Sequence, residues 1–218
     1  MRILMSTVLA VALATPVAAQ NACEAFREAP AVGSWVEYGF QGQGQGQVGR
    51  SRMAVVGVET RGGRQLTWYE MSMNSGGQDI IAKMLAEGGF YQAMAEKKIE
   101  EIIIKMGSQP AMVFSGTMME RVRSQMNVGS DPASQFGQGC EDAERLGVES
   151  ITVPAGTFDA IHYRLSAGPN PGDAWIVEGL PFGMIRWTGS EGEAAELVDR
   201  GDDAVTQITE TPMEMPGG

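Results

Sequence analysis

The run Ile151-Thr-Val-Pro-Ala-Gly-Thr-Phe-Asp-Ala-Ile-His-Tyr-Arg164 decides the fold. It reads as two strands, Leu146–Val153 and Thr157–Ser166, joined by Pro154-Ala155-Gly156. Proline there holds the second position of a type I turn and glycine the fourth. Three more short runs follow: Asp173–Glu178, Met184–Thr188 and Ala194–Arg200, the first two separated by Gly179-Leu-Pro-Phe-Gly183. Short strands with turn residues spaced roughly every 8–12 positions form an antiparallel sheet or barrel.

The upstream half follows the same pattern. Val36, Tyr38 and Phe40 recur at period two in Gly33–Phe40, and Val48–Glu59 is a second run. In Arg64–Asn74, Leu66, Trp68, Glu70 and Ser72 alternate with Thr67, Tyr69, Met71 and Met73. Asn74-Ser75-Gly76-Gly77 then turns the chain into Gln78–Ala86. Residues 93–105 carry the Glu and Lys content of a helix, but the β-branched Ile102-Ile103-Ile104 and the stop at Gly107 favour a strand over Ile99–Met106. One helix stands out, Gly116–Asn127, with Met118, Met119, Val122 and Met126 on one face and Glu120, Arg121 and Arg123 on the other. The expectation is a mainly β fold with one short helix, as a strongly curved antiparallel sheet or incomplete β-barrel wrapping that helix.

The first 19 residues read as an export signal that is cleaved. Arg2 is the basic start, Ile3–Ala14 the apolar stretch, and Val17-Ala18-Ala19 places small residues before a cut at Gln20. Gln20-Asn21-Ala22 before Cys23 lacks the apolar residue of a lipoprotein signal, and no later stretch is long enough to span a bilayer. Residues 20–210 are read as one β-rich domain and 211–218 as a flexible tail. Export makes a disulfide between the two cysteines, Cys23 and Cys140, the default expectation.

Charge narrows the partners. The chain carries 16 basic and 27 acidic residues, a net charge of −11. Residues 20–127 hold 11 of each sign, so the excess sits after residue 127, where 4 basic residues face 16 acidic ones. Nucleic acid as a partner would need the opposite sign. A single His and two Cys exclude a multi-His metal centre, a four-cysteine zinc site and an iron–sulfur cluster. The turn at Asp199, Asp202 and Asp203 lacks calcium-loop spacing, so neither metal nor cofactor is expected.

No motif carries a reaction. Gly44-Gln-Gly46-Gln-Val-Gly49 matches a dinucleotide fingerprint in letters, yet it precedes a strand within a Gln-Gly repeat and reads as a hairpin loop. His162 lies in a strand between Ile161 and Tyr163, and no serine sits in a Gly-x-Ser-x-Gly elbow. Methionine is over-represented, clustering as Met71/Met73, Met118/Met119/Met126 and Met213/Met215. Thioethers fill irregular cores, line adaptable apolar pockets, or ligate Cu(I).

The Ile151–Arg164 run, with Asp173-Ala-Trp-Ile-Val-Glu178 and Leu180-Pro-Phe-Gly-Met-Ile-Arg186, resembles a pattern of exported bacterial proteins of unknown function similar to the lipoprotein-carrier (LolA/LolB-like) incomplete β-barrels. Arg52-Met-Ala-Val-Val-Gly57, Trp68-Tyr-Glu70 and Gly107-Ser-Gln-Pro-Ala111 extend it over residues 33–200. The resemblance implies a curved sheet with an apolar concave face able to hold an acyl chain, and it carries over no catalytic residue.

The sequence therefore reads as a periplasmic, non-catalytic binding module for a hydrophobic ligand, lipid or acyl chain, or for a partner segment. Trp68, Met84, Met118, Met119, Val122, Met126, Trp175 and Trp187 are the expected lining. The alternatives are an envelope structural or interaction protein without a ligand, and a Met-based Cu(I) binder. A Cys23–Cys140 bridge would close a loop of 117 residues, stabilising by roughly 4–5 kcal/mol in the chain-entropy treatment. Non-reducing peptide mapping should recover these two cysteines linked, and Cys140→Ser should lower unfolding stability by a few kcal/mol at most.

Overall fold

The computed structural model describes residues 22–41, 48–75, 77–125, 139–166, 171–190 and 192–214. Six strands form a first antiparallel meander: β1 (Trp35–Gln41), β2 (Val48–Arg61), β3 (Arg64–Ser75), β4 (Gln78–Ala86), β5 (Ile99–Met106) and β6 (Met112–Phe114). Five more form a second: β7 (Glu144–Val153), β8 (Gly156–Leu165), β9 (Gly172–Ile176), β10 (Met184–Gly189) and β11 (Ala194–Gly201). Pairing of β11 with β1 fuses them into one sheet, and β12 (Met213–Glu214) joins parallel to β6. The order is β12-β6-β5-β4-β3-β2-β1-β11-β10-β9-β8-β7.

Local chemistry sets the turns. Arg61 pairs directly with Arg64, leaving a two-residue loop in which Gly62 and Gly63 both have positive φ, +57° and +79°. That is the hairpin geometry whose twist matches the flanking strands, and glycine adopts it without steric cost. At Pro154-Ala155 the β7–β8 hairpin folds back so that the Ala155 amide donates to the Leu197 carbonyl at 3.1 Å. The sheet is thus open but curled.

The inner face carries the main core, including Val36, Tyr38, Val55, Tyr69, Met84 and Ile102. Three short helical pieces lie on this side: a 3-10 turn (Ala22–Phe26), α1 (Phe90–Ala95) and α2 (Gly116–Gln125). The 3-10 turn packs on α1, and α2 packs on β5 with Met119 only 1% exposed. The connection from β6 to β7 joins strands far apart in the sheet order. Met119 and Cys140 on it both belong to the inner core. Cys140 is bonded to Cys23 with Cα atoms 5.1 Å apart.

Several expectations are corrected. The fold has α1 as well as the expected helix. Its six residues are too few for a 3.6-residue period to show, and Gly89 offers no side-chain cap to mark its start. Residues 93–105 divide: 93–95 end α1, Lys97 at φ 55° makes the corner, and β5 covers Ile99–Met106 as read from the sequence. Within the segment read as a tail, Met213 and Glu214 pair with β6, and residues 215–218 lie outside the described residues. Of the Gly44–Gly49 motif, Gly49 lies on β2, and residues 44–47 are outside the described residues.

The outer face carries a second layer that the sequence reading does not foresee. From Ala204, whose amide donates to the Gly33 carbonyl at 2.8 Å, the chain crosses the strands as a strap towards β6. Its anchor is Glu70, 2% exposed. The Gln207 amide donates to the two Glu70 carboxylate oxygens at 2.9 and 3.1 Å, and the Thr206 hydroxyl donates at 2.6 Å. Ile208 then buries against Ile103 and Ala111, with Trp68, Ile81 and Val113 packed around them. Lys105 pairs with Glu210. Glu70→Ala leaves an amide and a hydroxyl without their acceptor and should cost about 1–3 kcal/mol. Hydrogen exchange should speed up selectively over residues 204–214, with the inner core still protected.

Candidate functional site

A cleft of about 630 Å³ opens at the end of the molecule where the N-terminal 3-10 turn meets α1 and the β9–β10 turn. Its apolar wall comes from Phe26, Phe90, Tyr91, Leu180 and Phe182. A second cleft of about 550 Å³ lies on the other side of the loop Arg27–Ala31, against Val58 and Thr67. The loop is pinned at its base by the Gly89 amide, which donates to the Arg27 carbonyl at 2.9 Å.

The wall is an edge-to-face aromatic cluster. Phe26 meets Tyr91 at 4.9 Å between ring centroids, Tyr91 meets Phe90 at 5.5 Å, and Phe90 meets Tyr69 at 5.4 Å. Phe182 closes it at 6.2 Å from both Phe90 and Tyr69. Such pairs add about 0.5–1.5 kcal/mol each beyond their buried area. The phenols have built-in partners: Tyr69 donates to the Gly88 carbonyl at 2.6 Å and Tyr38 to the Met184 carbonyl at 2.7 Å. Burial above all pushes the Tyr38, Tyr69 and Tyr91 hydroxyls above the usual tyrosine range, so they act as neutral donors.

Phe182 is the strained member. Its φ of 58° is left-handed, a conformation that costs a bulky L-residue about 1–2 kcal/mol. The turn enforces it: Gly183 donates to the Leu180 carbonyl at 2.9 Å, and Val177 donates to the Gly183 carbonyl at 2.8 Å. Gly183 must be glycine for a second reason, because a Cβ there would stand 2.7 Å from the Phe26 ring. The strain is sustained by the burial of Phe182 among the rings.

The other polar constellation lies along β7–β10. His162 Nδ1 is 2.8 Å from Glu149 Oε1, and Nε2 is 3.1 Å from Asp173 Oδ1. Trp175 stacks on the imidazole at 4.4 Å and donates to Glu149 Oε2 at 3.2 Å. Arg186 lies 5.3 Å from the Trp175 ring centroid. The His162 contact, then the Trp175 bond, holds the Glu149 carboxyl below its usual range. Among the described residues no serine, threonine or cysteine is hydrogen-bonded to His162. No described cluster of His, Cys, Asp and Glu has the geometry of a metal site.

The structure divides the residues expected as a lining. Met84, 5% exposed, and Met119 are in the inner core, with half-buried Trp187 packed against it. Met118 is half-buried on α2. Trp68 belongs to the opposite face, beside Ile103 and Ile208, with Lys83 Nζ 4.7 Å from its ring centroid. Trp175 also packs against the inner core and is engaged by His162 and Glu149. Met126 and the side chain of Val122 lie outside the described residues. The methionine groups stay on separate elements: Met71 opposite Met53 in the sheet, Met119 on α2, and Met213 on β12.

The cleft residues Phe26, Phe90, Tyr91, Leu180 and Phe182 escaped the sequence reading. The adjacent pair Phe90-Tyr91 and a large aromatic inside Gly179–Gly183 were the signals available. Phe182→Ala and Phe182→Gly both remove the ring, which costs about 3–5 kcal/mol. Glycine should nevertheless be the milder change by about 1 kcal/mol, as only it relaxes at positive φ. Chemical denaturation of the two variants checks that order.

No family profile and no curated protein matches the chain. Among solved structures, it is similar to a Bacteroides fragilis protein assigned as exported, with a YmcC-like fold. The identity is 12%, coverage 81% of this chain and 99% of that one, and the TM-score 0.41. A Parabacteroides distasonis protein assigned as a lipoprotein is similar at 13% identity, with 81% and 98% coverage and a TM-score of 0.41.

Proposed function

We propose that the protein is a non-catalytic periplasmic binding module and that the end cleft takes its apolar ligand or an apolar partner segment. The observation that carries this reading is Phe182, held in a strained left-handed conformation within the cleft wall. Strain of this kind clusters at ligand sites. The cleft volume falls within the range of small-ligand sites, roughly 300–1,000 Å³. Export is supported by the N-terminal apolar stretch and by the disulfide, a bond that persists in oxidising compartments. Absence of catalysis is supported by His162, whose two nitrogens both face carboxylates.

An envelope structural role is the second reading. It is favoured by the burial of Met84 and Met119, which makes the inner face a filled core. Titration with the neutral fluorophore N-phenyl-1-naphthylamine separates the two. Under the binding reading the dye binds wild type with Kd on the order of 1 μM. Ala29→Trp, which fills the cleft from half-buried Ala29, abolishes the signal with far-UV circular dichroism unchanged. No dye binding to wild type selects the structural reading.

A further inference from the structure

Ten of the described acidic side chains are held in ion pairs. Arg61 pairs with Glu59 and Glu101, Arg64 with Glu87 and Glu100, and Arg186 with Glu196. Glu37 pairs with Arg50, Glu96 with Lys98 and Glu210 with Lys105. Glu24, Glu28 and Glu178 are outside these pairs and are grouped by the fold at one place. All three line the 630 Å³ cleft, and among the described residues none of them has an ion-pair partner. Arg27 is the single cation on that lining.

Two of these carboxylates come from elements that meet only in the folded chain, Glu24 on the 3-10 turn and Glu178 after β9. Their fields converge at Tyr163. Its hydroxyl is held above the usual range by burial, which Arg145 opposes, and to a lesser extent by Glu178 and Glu24. The cleft thus joins an aromatic and aliphatic wall to a rim on which three carboxylates outnumber one guanidinium. An excess of like charge held together raises the local concentration of cations and gains by admitting one.

Resting on the assignment of this cleft as the ligand site, we infer that its ligand is a small cationic amphiphile, an alkyl- or aryl-ammonium compound. The apolar part lies against Leu180, Phe182 and Phe26, and the ammonium group lies among Glu24, Glu28 and Glu178. An anionic acyl ligand would bring its carboxylate or phosphate against the same three acids and be disfavoured.

The test uses calorimetric titration of the mature, oxidised protein with three decyl compounds, each below its micelle concentration: decyltrimethylammonium, decyl maltoside and decyl sulfate. The expected order is decyltrimethylammonium tighter than decyl maltoside by about tenfold, with decyl sulfate weakest. The gap should shrink several-fold in about 0.5 M salt. Glu28→Gln/Glu178→Gln alters two exposed side chains, so it should fold normally. It should bring decyltrimethylammonium down to the maltoside value and leave the maltoside unchanged. Equal binding of all three decyl compounds overturns charge selection and leaves the apolar cleft standing. A cation preference that survives the double substitution overturns the inference by assigning the effect to net charge. If no decyl compound binds, the cleft assignment itself falls.

Discussion

Pairing of β1 with β11 is the constraint on which the rest of the molecule depends. Each meander alone is a run of neighbouring hairpins, and only the β1–β11 seam makes them one sheet. It joins strands separated by about 160 positions in sequence, so its loop-closure cost must be met by many contacts at once. The register runs from Trp35 opposite Gly201 to Gln41 opposite Ala194, with one irregularity between Glu37 and Tyr38. Gly201 lets the seam close at its end, since a Cβ there would lie 2.5 Å from the Trp35 indole nitrogen. The seam also sets β6 and β7 far apart in the order, and the chain between them places Met119 and Cys140 in the inner core, where Cys140 is bonded to Cys23.

The two faces are stabilised differently. On the inner face the contribution is apolar burial: a fully buried side chain such as Met119 or Ile176 contributes about 1.5–3 kcal/mol. The outer face could not do this with strands alone, because Trp68, Ile81, Ile103 and Val113 would lie open to water. The strap covers them, and Glu70 fixes its register by accepting from Thr206 and Gln207. Exposed ion pairs such as Arg50–Glu37 add little, about 0–1 kcal/mol each. They do order charge between neighbouring strands, as Arg50 with Glu37 and Arg186 with Glu196.

Strand periodicity was the legible part. β4 spans Gln78–Ala86 as read after the Asn74–Gly77 turn, and β2, β3 and β8–β11 begin and end within a few residues of the stretches read from sequence. Periodicity says which residues share a face but not which face is inside. Trp68, Glu70 and Ser72 share one on β3, and a large aromatic residue suggests the interior. The strap overrides that inference by giving the outer face a cover of its own, so the buried residue there includes a carboxylate. The strap itself was invisible because it is irregular chain: its bonds go to Gly33, Glu70 and Ala111, partners at least 130 positions away or contributed by another strand's end. α1 and β6 were missed for want of length, and the cleft because its residues come from three distant segments.

The cleft's rigidity follows from the same architecture. Its walls are turns, which ordinarily have the least order in a β protein. Here the disulfide secures the 3-10 turn, Gly89 and Gly183 admit the Phe26 backbone and ring at distances no Cβ would allow, and Tyr69 bonds to the Gly88 carbonyl. Phe182 can hold an unfavourable φ only because rings on two sides leave its side chain nowhere better to go. A site built this way loses little conformational entropy when it is filled, which raises affinity without any additional contact. It also ties the site to the core: the aromatic residues that shape the cleft are continuous with those under the β1–β11 seam, through Tyr38 and Tyr69. Loosening the seam would therefore blunt the site before the sheet itself came apart.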